Sequence, residues 1–267
     1  MKVAALQMTS GPDVAVNLAQ ARVLLQQARE REACLAALPE NFAFMGLKDA
    51  DKRAVGEADG SGPIQDFLAA TAKDLKLWIV AGTMPIRAPD GRVAAASLVF
   101  SDTGKRVARY DKIHLFDVDI PGKNETYRES AHVAPGHESV VVDTPAGKLG
   151  LSVCYDIRFP ELFRRLSAAG AQILSIPSAF TAPTGRAHWE TLLRARAIEN
   201  LCHVIAPAQS GFHANGRETY GDSMIVDYWG AVLQRLPRGQ GCVVGNVDLN
   251  RQAQARTSFP ALDHRVL

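Results

Sequence analysis

The sequence predicts an α/β protein in which mixed sheets carry helices on their outside, and three observations lead there. Through the first ninety residues, short apolar runs alternate with segments of helical period, the pattern of a layered α/β fold. Hairpin signals then interrupt that alternation, which excludes a purely parallel sheet. No low-complexity linker or repeat divides the 267 residues, so residues 1–267 are expected to form a single domain.

The elements follow in order. "VAALQM", Val3 to Met8, reads as a first strand. Asp13 is a plausible N-cap, and Val14, Leu18, Ala21, Leu25 and Ala28 recur at helical spacing to about Glu32. "CLAALPE" reads as a buried strand ended by Pro39, "IQDFLAATAKDL" as a second helix and "LWIVAGTMPI" as one further strand. "VAAASLVFSDTGKRVARYDKIHL" predicts a hairpin turning at 101–104, and "SVVVDTPAGKLGLSVC" another turning at 145–147. "FPELFRRLSAAG" predicts a helix stopped by Gly170, and "AQILSIP" a strand. "GRAHWETLLRARAIEN" predicts a helix with Trp189, Leu193 and Ala197 on one face. "CHVIAPAQ", a hairpin in "SMIVDYWGAVLQRL" and the strand "GCVVGNVDL" complete the set.

Composition narrows the function. A formal net charge of +2 gives no footprint for nucleic acid or an acidic membrane, so neither is expected as a partner. Cys34, Cys154, Cys202 and Cys242 form no C-x-x-C pair, which argues against a disulfide scaffold or zinc knuckle. The amino-terminal residues fit a first strand better than a secretory leader, and the uncharged stretch 166–185 is broken by prolines and glycine. The expected setting is therefore reducing and cytoplasmic. No G-x-G-x-x-G, Walker loop, H-E-x-x-H or G-x-S-x-G is present, and the seven histidines are scattered. Neither a metal nor a cofactor is expected. His114 or His188 could pair with a cysteine on spacing alone.

Three segments place chemically capable groups just past apolar runs: "LAALPENF" with Glu40, "RYDKIHLFD" with Lys112 and "VCYDIRFPE" with Cys154. Strand ends are where layered α/β folds build their sites. A thiol needs a base, which a carboxylate can supply, and an ammonium can steady an oxyanion. The helix opened by Pro160 would also lower a nearby thiol pKa. Singly, each residue also has a plain reading: Cys154 as a packing residue, Lys112 as a solvated lysine, Glu40 as a cap. Cys34, Cys202 and Cys242 read as packing residues.

Together the three segments resemble the nitrilase superfamily of carbon–nitrogen hydrolases, in the family's order and over essentially the whole chain. The resemblance implies a four-layer αββα sandwich and a homodimer or higher homo-oligomer packed through helices near the site. It also implies roles: Cys154 as nucleophile, Glu40 as general base, and Lys112 with the backbone N–H of Tyr155 as oxyanion donors. A supporting glutamate is matched by Glu129 in "YRESAHVAPG", with Glu125 as the alternative. Nitrilases proper carry Trp and Glu where this chain has Tyr155 and Asp156.

"IPSAFTAPTGRAHWETLLRARAIEN" resembles the amidase branch that acts on small amides bearing a free carboxylate, which includes omega-amidases and deaminated glutathione amidases. Arg158 then matches the carboxylate-binding residue, with Phe180 and Thr184 lining the pocket. Its other reading is a structural ion pair to Asp156 or Glu161. The stretches "GFHANGRETYGDSMIVDYWG" and "SAFTAPTGRAHW" lean toward deaminated glutathione as substrate, with 2-oxoglutaramate or another small aliphatic amide as the alternative. The loops 117–132 and 211–220 are expected on the leaving-group side. A non-catalytic binding protein on the same fold is the remote alternative.

Overall fold

The computed structural model describes residues 1–120 and 126–266. In chain order it contains β1 (Lys2–Gln7), α1 (Val14–Glu30), β2 (Leu35–Ala37), α2 (Pro63–Leu75), β3 (Trp78–Val80), β4 (Met84–Arg87), β5 (Val93–Phe100), β6 (Arg106–Asp111), β7 (Asp117–Asp119), β8 (Thr126–Arg128), β9 (Val133–Ala134), β10 (Val141–Thr144) and β11 (Gly147–Leu151). There follow α3 (Pro160–Ala168), β12 (Ile173–Ser175), α4 (Ala182–Asn200), β13 (His203–Ala206), β14 (Ser210–Phe212), β15 (Glu218–Tyr220), β16 (Ser223–Val226), β17 (Val232–Leu236), β18 (Gly241–Asn246) and α5 (Leu249–Ser258).

The strands form two large mixed sheets. One runs β18-β1-β2-β3-β5-β4, with β6 and β9 also paired to β5; the other runs β10-β11-β12-β13-β16-β17. Alternation along the strands explains the layering, because successive side chains point to opposite faces. Val3, Ala5, Leu35, Ala37 and Val80 of the first sheet pack with Leu151, Ile173 and Val204 of the second. Their sequence neighbours Ala4, Leu6, Ala36, Leu38 and Ile79 pack instead against Leu25 and Ala28 of α1 and Leu68 and Ala72 of α2. On the far side, Leu162, Phe163 and Leu166 of α3 and Trp189, Leu193 and Ala197 of α4 cover the second sheet. The result is a helix–sheet–sheet–helix sandwich.

Besides the short hairpins β7–β8 and β14–β15, which fall in segments expected as loops, three elements differ from the sequence expectation. The stretch read as one strand at "LWIVAGTMPI" is two segments on the same edge of β5, with register Val80↔Val99 before Gly82 and Met84↔Ala96 after it. Three residues, 81–83, thus face two on β5, which makes a β-bulge. Gly82 lies there at φ +37°, and a Cβ on it would fall 2.0 Å from the Pro39 carbonyl oxygen. Helix α4 starts at Ala182, earlier than its apolar period suggests, because the Thr181 side chain caps the N–H of Thr184. Helix α5 was not expected at all. Gln252 is its one buried residue, so no apolar stripe announces it. It is tied down by Gln252 and Arg256 donating to the Leu201 carbonyl.

Candidate active site

Glu40, Lys112 and Cys154 each stand within three residues of the carboxyl end of a strand: β2, β6 and β11. The first two strands belong to one sheet and the third to the other, so the site straddles the seam between the sheets. Backbone bonds fix each position. Gln209 donates to the Glu40 carbonyl at 3.0 Å, and the N–H of Asn41, in the left-handed region at φ +57°, reaches Thr83 Oγ1 at 2.8 Å. The Lys112 N–H donates to Ala95 O at 3.1 Å, and its carbonyl accepts from Gly136 N at 2.8 Å. Cys154, at φ +48°, opens a 3₁₀ turn running to Arg158, and its N–H donates to Pro177 O at 2.9 Å. A non-glycine residue there carries conformational cost, a feature that clusters at functional sites.

Asp156 stitches the turn of the nucleophile to the strand end of the lysine. Fully buried, its carboxylate accepts from Val153 N (2.8 Å), the Tyr110 hydroxyl (2.7 Å), His114 N (3.0 Å) and His114 Nδ1 (2.7 Å). Tyr110 is two residues from Lys112. Burial, reinforced by the Asp156 charge, pushes the Tyr110 hydroxyl pKa far up, so it stays a donor. His114 also stacks on Phe159 at 3.7 Å and is thereby committed to Asp156 rather than to the thiol. His188 lies 3.3 Å from Arg158.

The charged groups are buried as a set. Lys112 Nζ lies 2.9 Å from Glu40 Oε1, and 3.0 and 2.8 Å from the two oxygens of Glu129. Glu129 Oε2 also accepts from Phe116 N at 2.7 Å. Only 2% of the Lys112 side chain, 6% of Glu40 and 13% of Glu129 is exposed, so these bonds act in a low dielectric. Burial alone would lower the Lys112 pKa, but Glu129 and then Glu40 outweigh it and hold it well above the usual lysine value. Burial alone would raise the Glu129 pKa, yet Lys112 leaves it below the usual carboxylate range. The alternative glutamate, Glu125, lies outside the described residues.

For the thiol, the expectation of a lowered pKa is overturned. Burial raises the Cys154 pKa well above the usual thiol value, and the Glu40 charge raises it further; Lys112 and the N–H of Ala179 offset this in part. One ammonium stands among two carboxylates, so a thiolate would add a second uncompensated negative charge. The lowering expected from the helix that Pro160 opens does not prevail here, because desolvation does.

Arg158 is free of the structural pairing considered for it. Among the described residues it makes no ion pair, and Asp156 is fully engaged elsewhere. Its guanidinium lies 5.3 Å from the Phe180 ring centroid and 5.9 Å from that of Tyr155. Phe180 is braced by Trp189 at 4.9 Å, and Thr184 Oγ1 is 2.8 Å from Thr181 Oγ1. One cavity is lined by Glu40, Lys112, Cys154, Glu129, Tyr155, Arg158, Phe180 and Thr184, which brings every described site residue expected from sequence to one place. Sequence reasoning missed Asp156 as the stitch, and Lys52, Phe116, Tyr127 and Arg217 as further lining residues. No group of three or more His, Cys, Asp or Glu that could hold a metal occurs among the described residues.

The sequence matches the carbon–nitrogen hydrolase family over residues 2–257. The chain belongs to that family. It is 43% identical over 267 residues to the deaminated glutathione amidase of Synechocystis sp. (strain PCC 6803 / GT-S), covering 98% of this chain and 97% of the relative. The C. elegans NitFhit protein superposes with a TM-score of 0.91 at 39% identity; the match covers 99% of this chain but 65% of that longer one. Saccharomyces cerevisiae Nit3, a member of branch 10 of the nitrilase superfamily, superposes at 0.89 with 29% identity, covering 100% of this chain and 97% of its own. This carbon–nitrogen hydrolase therefore has the αββα sandwich of its superfamily, and its activity is hydrolysis of a carbon–nitrogen bond. No helix among the described residues is long and apolar enough to cross a membrane.

Proposed function

We propose that this hydrolase cleaves deaminated glutathione to 2-oxoglutarate and cysteinylglycine through a thioester on Cys154, with residues 1–267 acting as one catalytic domain. The observation that carries this reading is Arg158. It sits on the nucleophile's own turn, lines the cavity and has no carboxylate partner among the described residues. A planar guanidinium is suited to a bidentate carboxylate. The substrate's keto-acid end supplies one, and the likeness to the Synechocystis amidase points to the same substrate.

In the free enzyme the thiol keeps its proton. As sulfur attacks the amide carbon, Glu40 takes that proton, and the carbonyl oxygen gains the negative charge. Lys112 has three N–H donors. Held to Glu40 by one and to Glu129 by another, it offers the third to the oxyanion, alongside the N–H of Tyr155. Collapse breaks the C–N bond, Glu40 passes its proton to the departing nitrogen, and the dipeptide leaves. Water then attacks the thioester, Glu40 takes a proton from it, the C–S bond breaks, and the thiol is restored by that proton. Glu129 orients Lys112. Phe180 and Thr184 shape the acyl side.

Four free thiols among the described residues support a reducing, cytoplasmic setting. A homodimer or higher homo-oligomer packed through α3 and α4 is what the superfamily resemblance implies. The deciding experiment compares kcat/KM on deaminated glutathione and 2-oxoglutaramate. A higher value on deaminated glutathione is expected. A clear preference for the smaller amide would replace this reading by an omega-amidase, and no turnover of either would point to another small aliphatic amide as substrate.

A further inference from the structure

The cavity has a second end. From Arg158 a row of rings runs along its wall: Tyr155 to Phe116 at 5.1 Å between centroids, then Phe116 to Tyr127 at 5.1 Å. Beyond Tyr127 stands another guanidinium, Arg217, 4.8 Å from that ring's centroid. Arg217 lies just before β15, on the 211–220 segment, and Tyr127 in β8, within 117–132. Among the described residues the Arg217 Nε is buried with no hydrogen-bond partner, and the carboxylate of Asp49 is 4.0 Å from the guanidinium, too far for a hydrogen bond. Lys52 lines the same cavity and makes no ion pair among the described residues.

Charge across the cavity points the same way. Glu40, Glu129 and Lys112 satisfy one another near Cys154. The remaining charged lining residues are Arg158, Arg217 and Lys52 against the single carboxylate of Asp49. The trio of Glu40, Glu129 and Lys112 itself carries −1, so the whole lining sums to +1; outside that trio the cationic groups exceed the anionic by two, which suits a ligand with two carboxylates. A tripeptide-length amide spans roughly 10 Å when extended, and each guanidinium reaches a few ångströms beyond the carboxylate it holds. Such a ligand can lie along a row of rings with an arginine at each end.

We propose that Arg217, helped by Lys52, recognises the terminal carboxylate of the leaving group. Arg158 holds the carboxylate of the acyl group, and Cys154, which lines the same cavity, attacks the amide between the two carboxylates. Arg217 would then determine specificity for a peptide-like leaving group over ammonia. The inference rests on the proposed function, because that reading supplies a substrate with a carboxylate at each end.

The test is calorimetric, on Cys154→Ala protein, with deaminated glutathione and its glycine carboxamide as probes. The free acid is expected to bind roughly tenfold more tightly than the carboxamide, the effect of one charge-assisted hydrogen-bonded contact. In Cys154→Ala/Arg217→Gln protein that preference should vanish. An acid preference that persists without Arg217, or its absence at the outset, overturns the assignment. Turnover gives an independent reading. Arg217→Gln should lower the ratio of kcat/KM for deaminated glutathione over 2-oxoglutaramate roughly tenfold, whereas an unchanged ratio argues for a structural arginine. Because the calorimetry needs no turnover, it judges Arg217 even if the kinetic comparison displaces the proposed substrate.

Discussion

The floor of the cavity and its two ends treat charge in opposite ways. At the floor, Glu40, Lys112 and Glu129 are buried and bonded to one another, so their geometry is set before substrate arrives. At the ends, Arg158 and Arg217 rest against aromatic rings, and among the described residues neither has a carboxylate within hydrogen-bonding distance. A satisfied network is rigid and suits chemistry, while an unsatisfied guanidinium holds binding free energy in reserve for a ligand. Substitutions at the floor should therefore strike kcat or stability, and those at the ends KM.

The sharpest break is Cys154→Ala, which should reduce amide hydrolysis at least about 10⁴-fold while leaving the fold intact. Steady-state turnover and circular dichroism check the two halves, and retained turnover removes Cys154 as nucleophile. Next comes Glu40→Gln, expected to cost about 10²–10⁴ in kcat as general bases do. It should also lower the Cys154 pKa, because the Glu40 charge helps to raise it. The pH midpoint of iodoacetamide alkylation reads that shift; an unmoved midpoint means the two groups are not coupled.

Lys112→Met leaves two buried carboxylates without their cation, and should cost about 3–5 kcal/mol in urea unfolding beyond its loss of activity. At the rim, Arg158→Lys should raise KM about tenfold and lower kcat less, since lysine keeps the charge but not the planar fork. A fall in kcat with KM unchanged would contradict a binding role. The smallest effect is on acid stability. The folded-state pKa of Glu129 lies below its ordinary value, so its contribution is complete above the unfolded value of about 4.3 and is lost as pH falls through the lower folded value. Glu129→Gln should flatten that part of the stability–pH curve, as followed by thermal unfolding.

Much of this was legible in the sequence. The alternation of apolar runs with segments of helical period pointed to the α/β class, and three short segments contained Glu40, Lys112 and Cys154. Their convergence was not a property of any one segment, and the superfamily resemblance supplied it. Helix α5 escaped because its attachment is polar, through Gln252 and Arg256. The direction of the thiol shift escaped because burial cannot be weighed from a strand-to-turn motif. Phe116, Tyr127 and Arg217 escaped for a different reason. A row of rings assembled from separate loops has no period, and only tertiary packing brings its members into line.

The bulge at Gly82 has a consequence for how this enzyme tolerates change. Its missing side chain leaves room for the Pro39 carbonyl, and Pro39 carries the next residue, Glu40. A single methyl group at position 82 would drive the base-bearing segment away by more than the slack a proton transfer allows. A scan of charged residues would pass over this position, whereas an alanine placed in this bulge would misalign the chemistry from behind. The site is thus guarded by an empty space as much as by the groups that line it.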